Sequence, residues 1–356
     1  MRLTYFAAAL VAVLAILIAP ALYGAAAPGA RRPATGAAAS AATAEGEWPC
    51  FHGPNRDAKS PDKGLLKEWP KEGPPLLWKF DGIGKGFSSV TVSGGTVYTA
   101  GDLGDRFTVF AFDMDGKPKF KIDHDAAWTK SQPGARSTPT IDGGNLYIES
   151  GGGLVGCYDA RTGAKKWTAS LSQFGGKPGG WGYAESVLIL GNLAIVTPGG
   201  SKCIVALNKA TGQPVWASSG FTAGAQYGGC AAFTFQNVPL VAAGTDAGLV
   251  CVDARSGALA FQNSFSAKNT ANCPTPAYAD GHVFWANGYG KGGICMQLGV
   301  AGGKAALATC SPEGTQMKGQ FSVAGSGPSW AHPVVIGGRL YLRYDTNLYC
   351  YDVKAK

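Results

Sequence analysis

The sequence predicts an all-β chain, a β-propeller of six four-stranded antiparallel blades whose ring is closed by an N-terminal strand. Three observations lead there. Gly makes up 53 of 356 residues, roughly double the usual share, while only 15% of the chain is charged and 46% is hydrophobic. Such a chain is too apolar to be disordered and too punctuated by Gly to be mainly helical. A strand-turn-strand unit recurs along it, and two incomplete halves of that unit stand at opposite ends.

The clearest part of the unit is its second strand: TVYTAG from Thr96, NLYIES from Asn145, LAIVTP from Leu193, VPLVAAG from Val238, HVFWANG from His282 and RLYLRYD from Arg339. A third strand follows and ends in an Asp-x-x-x-Gly turn before an aromatic residue. Examples are CYDARTGAKKW (Cys157 to Trp167), ALNKATGQPVW (Ala206 to Trp216) and CVDARSGALAF (Cys251 to Phe261), with a shorter version from Ala111 to Phe120. Unit starts near Ser88, Ser137, Glu185, Ala232, Pro274 and His332 are spaced 49, 48, 47, 42 and 58 residues apart. That is the period of a propeller blade. Six copies are visible; seven or eight blades are the alternative.

Within each unit the turn Gly supplies a left-handed backbone. The aromatic after it, Trp78, Phe120, Trp167, Trp216 or Phe261, is expected to wedge between blades. Pro139, Pro276 and Pro333 stand where an innermost edge strand tolerates a missing donor. The last unit stops at LYCYDVKAK without an outer strand, and PPLLWKF (Pro74 to Phe80) is an outer strand with no blade before it. The N-terminal strand is therefore expected to complete the last blade.

Residues 1–27 have the order of a secretory signal peptide: a positive start, an unbroken apolar run from Phe6 to Tyr23, then small residues. Cleavage between Gly24 and Ala30 is expected; an uncleaved membrane anchor is the alternative. The absence of an Arg pair or a nearby Cys argues against twin-Arg or lipoprotein export. Residues 28–46 read as a flexible Ala/Pro/Gly-rich linker, and residues 47–356 as the propeller. Export implies the periplasm or cell surface, with membrane contact only through an uncleaved N-terminus. The net charge of +8 falls to +5 without Arg2, Arg31 and Arg32. The remaining basic residues are scattered, so a nucleic-acid partner is excluded.

The A/C-x-D-x-x-T-G-x-x-x-W pattern resembles the quinoprotein alcohol dehydrogenase-like, or PQQ-like, propeller repeat, over residues 47–356. WPCFHGPNRD (Trp48 to Asp57), GWGYAES (Gly180 to Ser186) and GPSWAHP (Gly327 to Pro333) are similar to exported PQQ-like propellers of planctomycete-type bacteria. The wider superfamily includes PQQ-dependent dehydrogenases and, more distantly, the non-catalytic assembly factor BamB, mostly with eight blades. A 58-residue last spacing leaves no room for two more.

The segments leading into the innermost strands reach one end of the channel, where ligands bind in concave mouths. They supply Lys85, Phe87, Arg136, Trp181, Tyr183, Glu185, Tyr227, Asn272, Trp330 and His332 as a candidate ligand site. Trp181, Tyr183 and Trp330 would stack on a planar or anionic ligand, and Arg136 would pair with it or with Glu185. The alternative is that the aromatics plug the channel and Arg136–Glu185 is structural. If the chain were a quinoprotein, Glu185 and Asn272 are the residue types to hold Ca²⁺ and Trp330 could floor the quinone. No carboxylate base stands out, and the adjacent-Cys disulfide of several such dehydrogenases is missing.

Other signals reduce to turns. GIGKGFSSV (Gly82 to Val90) lacks the rest of a kinase signature, and DMDG (Asp113 to Gly116) has His124 where an EF-hand needs Glu. His52, His124, His282 and His332 are far apart in sequence. Of nine Cys, Cys157, Cys251 and Cys350 precede the turn Asp in non-neighbouring blades and read as buried thiols. Cys230 and Cys273 precede inner strands of adjacent blades and are the candidate disulfide.

The reading is an exported, non-catalytic binding or interaction scaffold of the bacterial cell envelope, its partner an envelope protein or small ligand. The alternatives are a PQQ- and Ca²⁺-dependent dehydrogenase of alcohols or sugars, and a carbohydrate-binding propeller stacking sugars on Trp181, Tyr183 and Trp330.

Overall fold

The computed structural model describes residues 46–268, 270–298, 323 and 331–355; the signal and all but the last residue of the linker lie outside them. Six antiparallel sheets form the blades of a β-propeller, within one compact unit spanning Thr43–Lys356. Blade 1 comprises Thr91–Ser93, Thr96–Leu103, Arg106–Asp113 and Pro118–Ala126. Blade 2 comprises Thr140–Asp142, Asn145–Glu149, Leu154–Asp159 and Lys165–Ser170. Blade 3 runs through Leu188–Leu190, Leu193–Val196, Val205–Asn208 and Pro214–Ala217, and blade 4 through Ala231–Phe235, Val238–Thr245, Gly248–Asp253 and Leu259–Gln262. Blade 5 has three strands among the described residues: Ala277–Ala279, His282–Asn287 and Gly292–Gln297.

Blade 6 contains Val334–Ile336, Arg339–Tyr344 and Asn347–Asp352, and its outer strand is Leu76–Asp81 from the other end of the chain, paired antiparallel to Asn347–Asp352. Closing the ring this way ties the two ends together through a ladder of backbone hydrogen bonds. Arg343 reinforces the seam. Its buried guanidinium donates from blade 6 to the carbonyls of Gly84 (2.9 Å) and Ala100, on the blade 1 side.

The outer rim follows one rule. A small third-strand residue faces the outer-strand aromatic in register: Ala111 and Phe120, Cys157 and Trp167, Ala206 and Trp216, Cys251 and Phe261, Cys350 and Trp78. The small side chain leaves room for the ring, and a register shift adjacent to each pair bends the outer strand. Four of the rings lie over the turn Gly of the next blade: Trp78 on Gly116, Phe120 on Gly163, Trp167 on Gly212 and Trp216 on Gly257. The Trp rings also donate their indole N–H to that blade: Trp78 to Met114 O (2.9 Å), Trp167 to Lys209 O (3.0 Å) and Trp216 to Ala254 O (3.0 Å). Gly212 shows why the turn is glycine. Its φ is +73°, and a Cβ there would stand 2.6 Å from the Trp167 ring.

Cys157, Cys251 and Cys350 are buried at these positions, their thiols pushed up by burial. The turn Asp accepts backbone N–H groups: Asp159 from Arg161 (3.1 Å) and Thr162 (2.9 Å), Asp253 from Arg255 (2.8 Å).

The inner rim is stitched differently. The Ser89 N–H donates to Thr138 Oγ1 (2.9 Å), the Thr138 N–H to Ser186 Oγ (3.0 Å) and the Gly229 N–H to Thr275 Oγ1 (3.2 Å), each crossing to the next blade. Pro139, Pro276 and Pro333 stand one residue before the inner strands of blades 2, 5 and 6. The missing Pro donors therefore break no ladder.

Candidate binding site at the channel mouth

The residue four positions before each inner strand begins a ring around the channel mouth: Phe87, Arg136, Ala184, Tyr227 and Cys273 in blades 1 to 5. All five line one cavity of about 670 Å³. Trp330 holds the sixth place by spacing and lies outside the described residues. Deeper in the same cavity stand Ser186, Gly229, Thr275 and His332, from the ring two residues further on. Trp181 and Tyr289 complete the aromatic wall.

The floor comes from a segment outside the repeats. Trp48 makes an isolated β-bridge to Val92 on the channel edge of blade 1, with hydrogen bonds of 2.7 and 3.0 Å. Pro49 O then accepts the Ile141 N–H of blade 2 (2.7 Å), and Arg56 donates to Ile189 O of blade 3 (3.0 Å). Residues 48–56 thus run as a strap across the free edges of three inner strands, inside the channel. They place Phe51 and His52 in the cavity lining. Phe51 packs against the His332 ring, their centroids 4.7 Å apart. Gly53 (φ +77°) makes the turn possible, since a Cβ there would strike the Trp48 ring at 2.7 Å.

Among the described residues of the lining, Arg136 is the one Lys or Arg. The Arg136 guanidinium lies over the Phe87 ring, 5.2 Å from its centroid, and donates to Gly134 O (2.8 Å) and Gln132 O. The two histidines stand neutral at pH 7. Burial lowers both, and the His332 and Arg56 charges help hold His52 near 4. Trp181 and Tyr227 meet at 5.3 Å with their planes 55° apart, giving a rigid apolar wall.

Several expected residues have other places. Arg136 and Glu185 form no ion pair. The Glu185 carboxyl turns into the blade, where Thr197 donates both its backbone N–H and its Oγ1–H (2.9 Å). It occupies the place of Ser88 and Ser137, which accept the Ala100 (3.2 Å) and Glu149 (3.4 Å) N–H groups in blades 1 and 2. Tyr183 is buried against Gly153 with its hydroxyl donating to Pro198 O (2.8 Å), so it offers no stacking face. Lys85 is exposed; its backbone bridges Asp102 and its side chain does not line the cavity.

Asn272 is also buried, its amide donating to Gln226 Oε1 (3.1 Å), Ser266 Oγ (3.3 Å) and Ala267 O (3.3 Å). Cys230 and Cys273 are both free. They are out of phase: Cys273 belongs to the mouth ring, while Cys230 is one residue before its inner strand and packs inside, 3.3 Å from Thr197 Oγ1. His124 is buried and satisfied by Tyr158 (2.7 Å) and Leu154 O (2.9 Å).

Beneath the mouth lies a feature that the strand pattern conceals. Glu149, on the second strand of blade 2, is buried with neither carboxyl oxygen hydrogen-bonded. Burial, and the neighbouring Glu185, push it well above the carboxylate range; burial alone lifts Glu185 to about 7. Both carboxyls therefore keep their protons to higher pH than an exposed acid does.

A family model described as outer membrane protein assembly factor BamB matches residues 71–202 and 200–305, well over half of the chain. The chain belongs to this BamB-like family of PQQ-repeat propellers. Among solved structures, BamB from Moraxella catarrhalis is 15% identical over 79% of this chain and 76% of its own, with a TM-score of 0.47. The quinohemoprotein alcohol dehydrogenase from Comamonas testosteroni is 16% identical over 83% of this chain, with a TM-score of 0.53. The chain spans 57% of that enzyme's length, and the likeness shows the shared fold. No curated protein matches the chain significantly.

The expected calcium pair is divided. Calcium needs anionic or carbonyl oxygens turned to one point. Both Glu185 oxygens already accept from Thr197, whereas the Asn272 Oδ1 is buried without a hydrogen-bond partner, its NH2 group alone donating to Gln226, Ser266 and Ala267.

Proposed function

We propose that the chain is an exported, non-catalytic binding propeller of the cell envelope, with the strap-floored cavity as its ligand site. The observation that carries this reading is the cavity: about 670 Å³, within the range of small-molecule sites, walled by aromatic side chains and floored by the protein's own N-terminal strap. Its one fixed cation and neutral histidines provide recognition without an assembled nucleophile and base. The signal-like residues 1–27, and a family described by an assembly factor of the outer membrane, support the envelope setting.

The test has two parts. Fractionation of cells producing the tagged chain should place it outside the cytoplasm, with a new N-terminus between residues 24 and 30. Thermal unfolding of the full chain against a library of envelope metabolites should then reveal ligands that raise the midpoint. The Trp181→Ala variant should lose those shifts while its ligand-free midpoint stays close to the parent's. A cytoplasmic chain, or stabilisation that survives Trp181→Ala, would contradict the proposal.

A further inference from the structure

We infer that the cavity selects a planar molecule bearing a single carboxylate, its acid group at the mouth against Arg136 and its ring system between Phe87, Trp181 and Tyr227. This deepens the binding reading above and rests on it. Among the described residues no carboxylate comes within ion-pair distance of Arg136. Its guanidinium is already oriented by the Gly134 and Gln132 carbonyls and by the Phe87 face. Those contacts leave further N–H donors for an incoming acid, and an oriented fork forms strong hydrogen bonds to carboxylates.

The charge count is what narrows the class. Among the described residues lining the cavity Arg136 is the only Lys or Arg, and both lining histidines have lowered pKa values. A second or third carboxylate on the ligand would be desolvated with no cation to meet it, which is costly. A cationic ligand would face the Arg136 charge, while both Glu185 oxygens already accept from Thr197 and Asp102, the acid whose charge reaches Arg136, does not line the cavity. A neutral ring system would keep its stacking contacts and forgo the guanidinium. The walls themselves favour planar bodies. Trp181 and Tyr227 are rigid, tilted rings with little entropy to lose on binding.

Calorimetric titration of the full chain with three probes tests this. Naphthoate carries one carboxylate on a planar ring, naphthalene methanol is its neutral counterpart, and trimesate is planar with three carboxylates. Naphthoate should bind at least roughly tenfold more tightly than the alcohol, the difference expected for a charged hydrogen bond, and trimesate no better than naphthoate. Raising the salt concentration should weaken naphthoate and leave the alcohol unchanged. Arg136→Gln should bring naphthoate down to the level of the alcohol, and Arg136→Lys should restore part of the gap. Two results would overturn the charge assignment and leave the cavity reading intact: equal affinities for naphthoate and the alcohol, both lost in Trp181→Ala, or tightest binding by trimesate. Failure of all three probes to bind a chain shown to be folded by circular dichroism would overturn the cavity reading with it.

Discussion

At the outer rim, five blades place a small third-strand residue opposite an aromatic, and four of those rings lie on the next blade's turn glycine. At the inner rim, the equivalent positions of successive blades hold Phe87, Arg136, Ala184, Tyr227 and Cys273, with no two alike. Both rims belong to the same blades and are separated only by the width of a blade. Docking makes the same demand of every blade, so its solution is repeated. A binding surface needs several chemistries facing one another, so the repeat is broken where the blades converge.

The contrast can be broken most severely at Trp167. Trp167→Ala removes a buried ring from the seam between blades 2 and 3, together with its hydrogen bond to Lys209 O. It should cost about 3–5 kcal/mol of unfolding free energy in denaturant titration. A loss below about 1 kcal/mol would mean that the outer rim does not hold the ring.

The acids under the mouth give the next largest effect. The folded-state pKa values of Glu149 and Glu185 are raised, so their contribution is fully present below the unfolded value near 4.5; the Glu185 share is lost as pH rises through about 7 and the Glu149 share as pH climbs above the carboxylate range. Unfolding free energy should fall by on the order of 1–3 kcal/mol from Glu185 across its window, with a further fall from Glu149. Glu149→Gln keeps the shape and removes one ionisation. It should flatten the fall and make the protein more stable at neutral pH; an unchanged slope would refute this assignment.

Smaller effects sharpen the comparison from both sides. Cys157→Ala should cost no more than about 1 kcal/mol, because Ala111 and Ala206 already serve at the same outer-rim position. Arg136→Gln should move stability by less than about 0.5 kcal/mol, being a mouth residue whose hydrogen bonds among the described residues run to local carbonyls. A large loss there would place Arg136 in the scaffold.

The outer rim was legible because it repeats. The spacing of Trp78, Phe120, Trp167, Trp216 and Phe261, and the orphan strand from Pro74, define six blades and their closure. The mouth was legible as a place, since the segments before the inner strands converge by topology. Side-chain direction within those segments was not. A one-residue step beyond Ala184 sends the Glu185 carboxyl to Thr197, and three residues separate the phases of Cys230 and Cys273. Phe51 and His52 were seen within the Trp48 to Asp57 motif but not placed at the mouth, because the strap belongs to no repeat. Glu149 was hidden in NLYIES, where an apolar strand pattern gives no sign that one acid is buried beside another from the next blade.

The central claim is that the propeller's mouth is a ligand cavity in which Glu185 serves the blade and holds no calcium. The most direct test is calorimetric titration of the full chain with PQQ, with and without Ca²⁺. The account predicts no calcium-dependent heat, because both Glu185 oxygens are committed to Thr197. Saturable binding that requires Ca²⁺ and disappears in Glu185→Ala would contradict it.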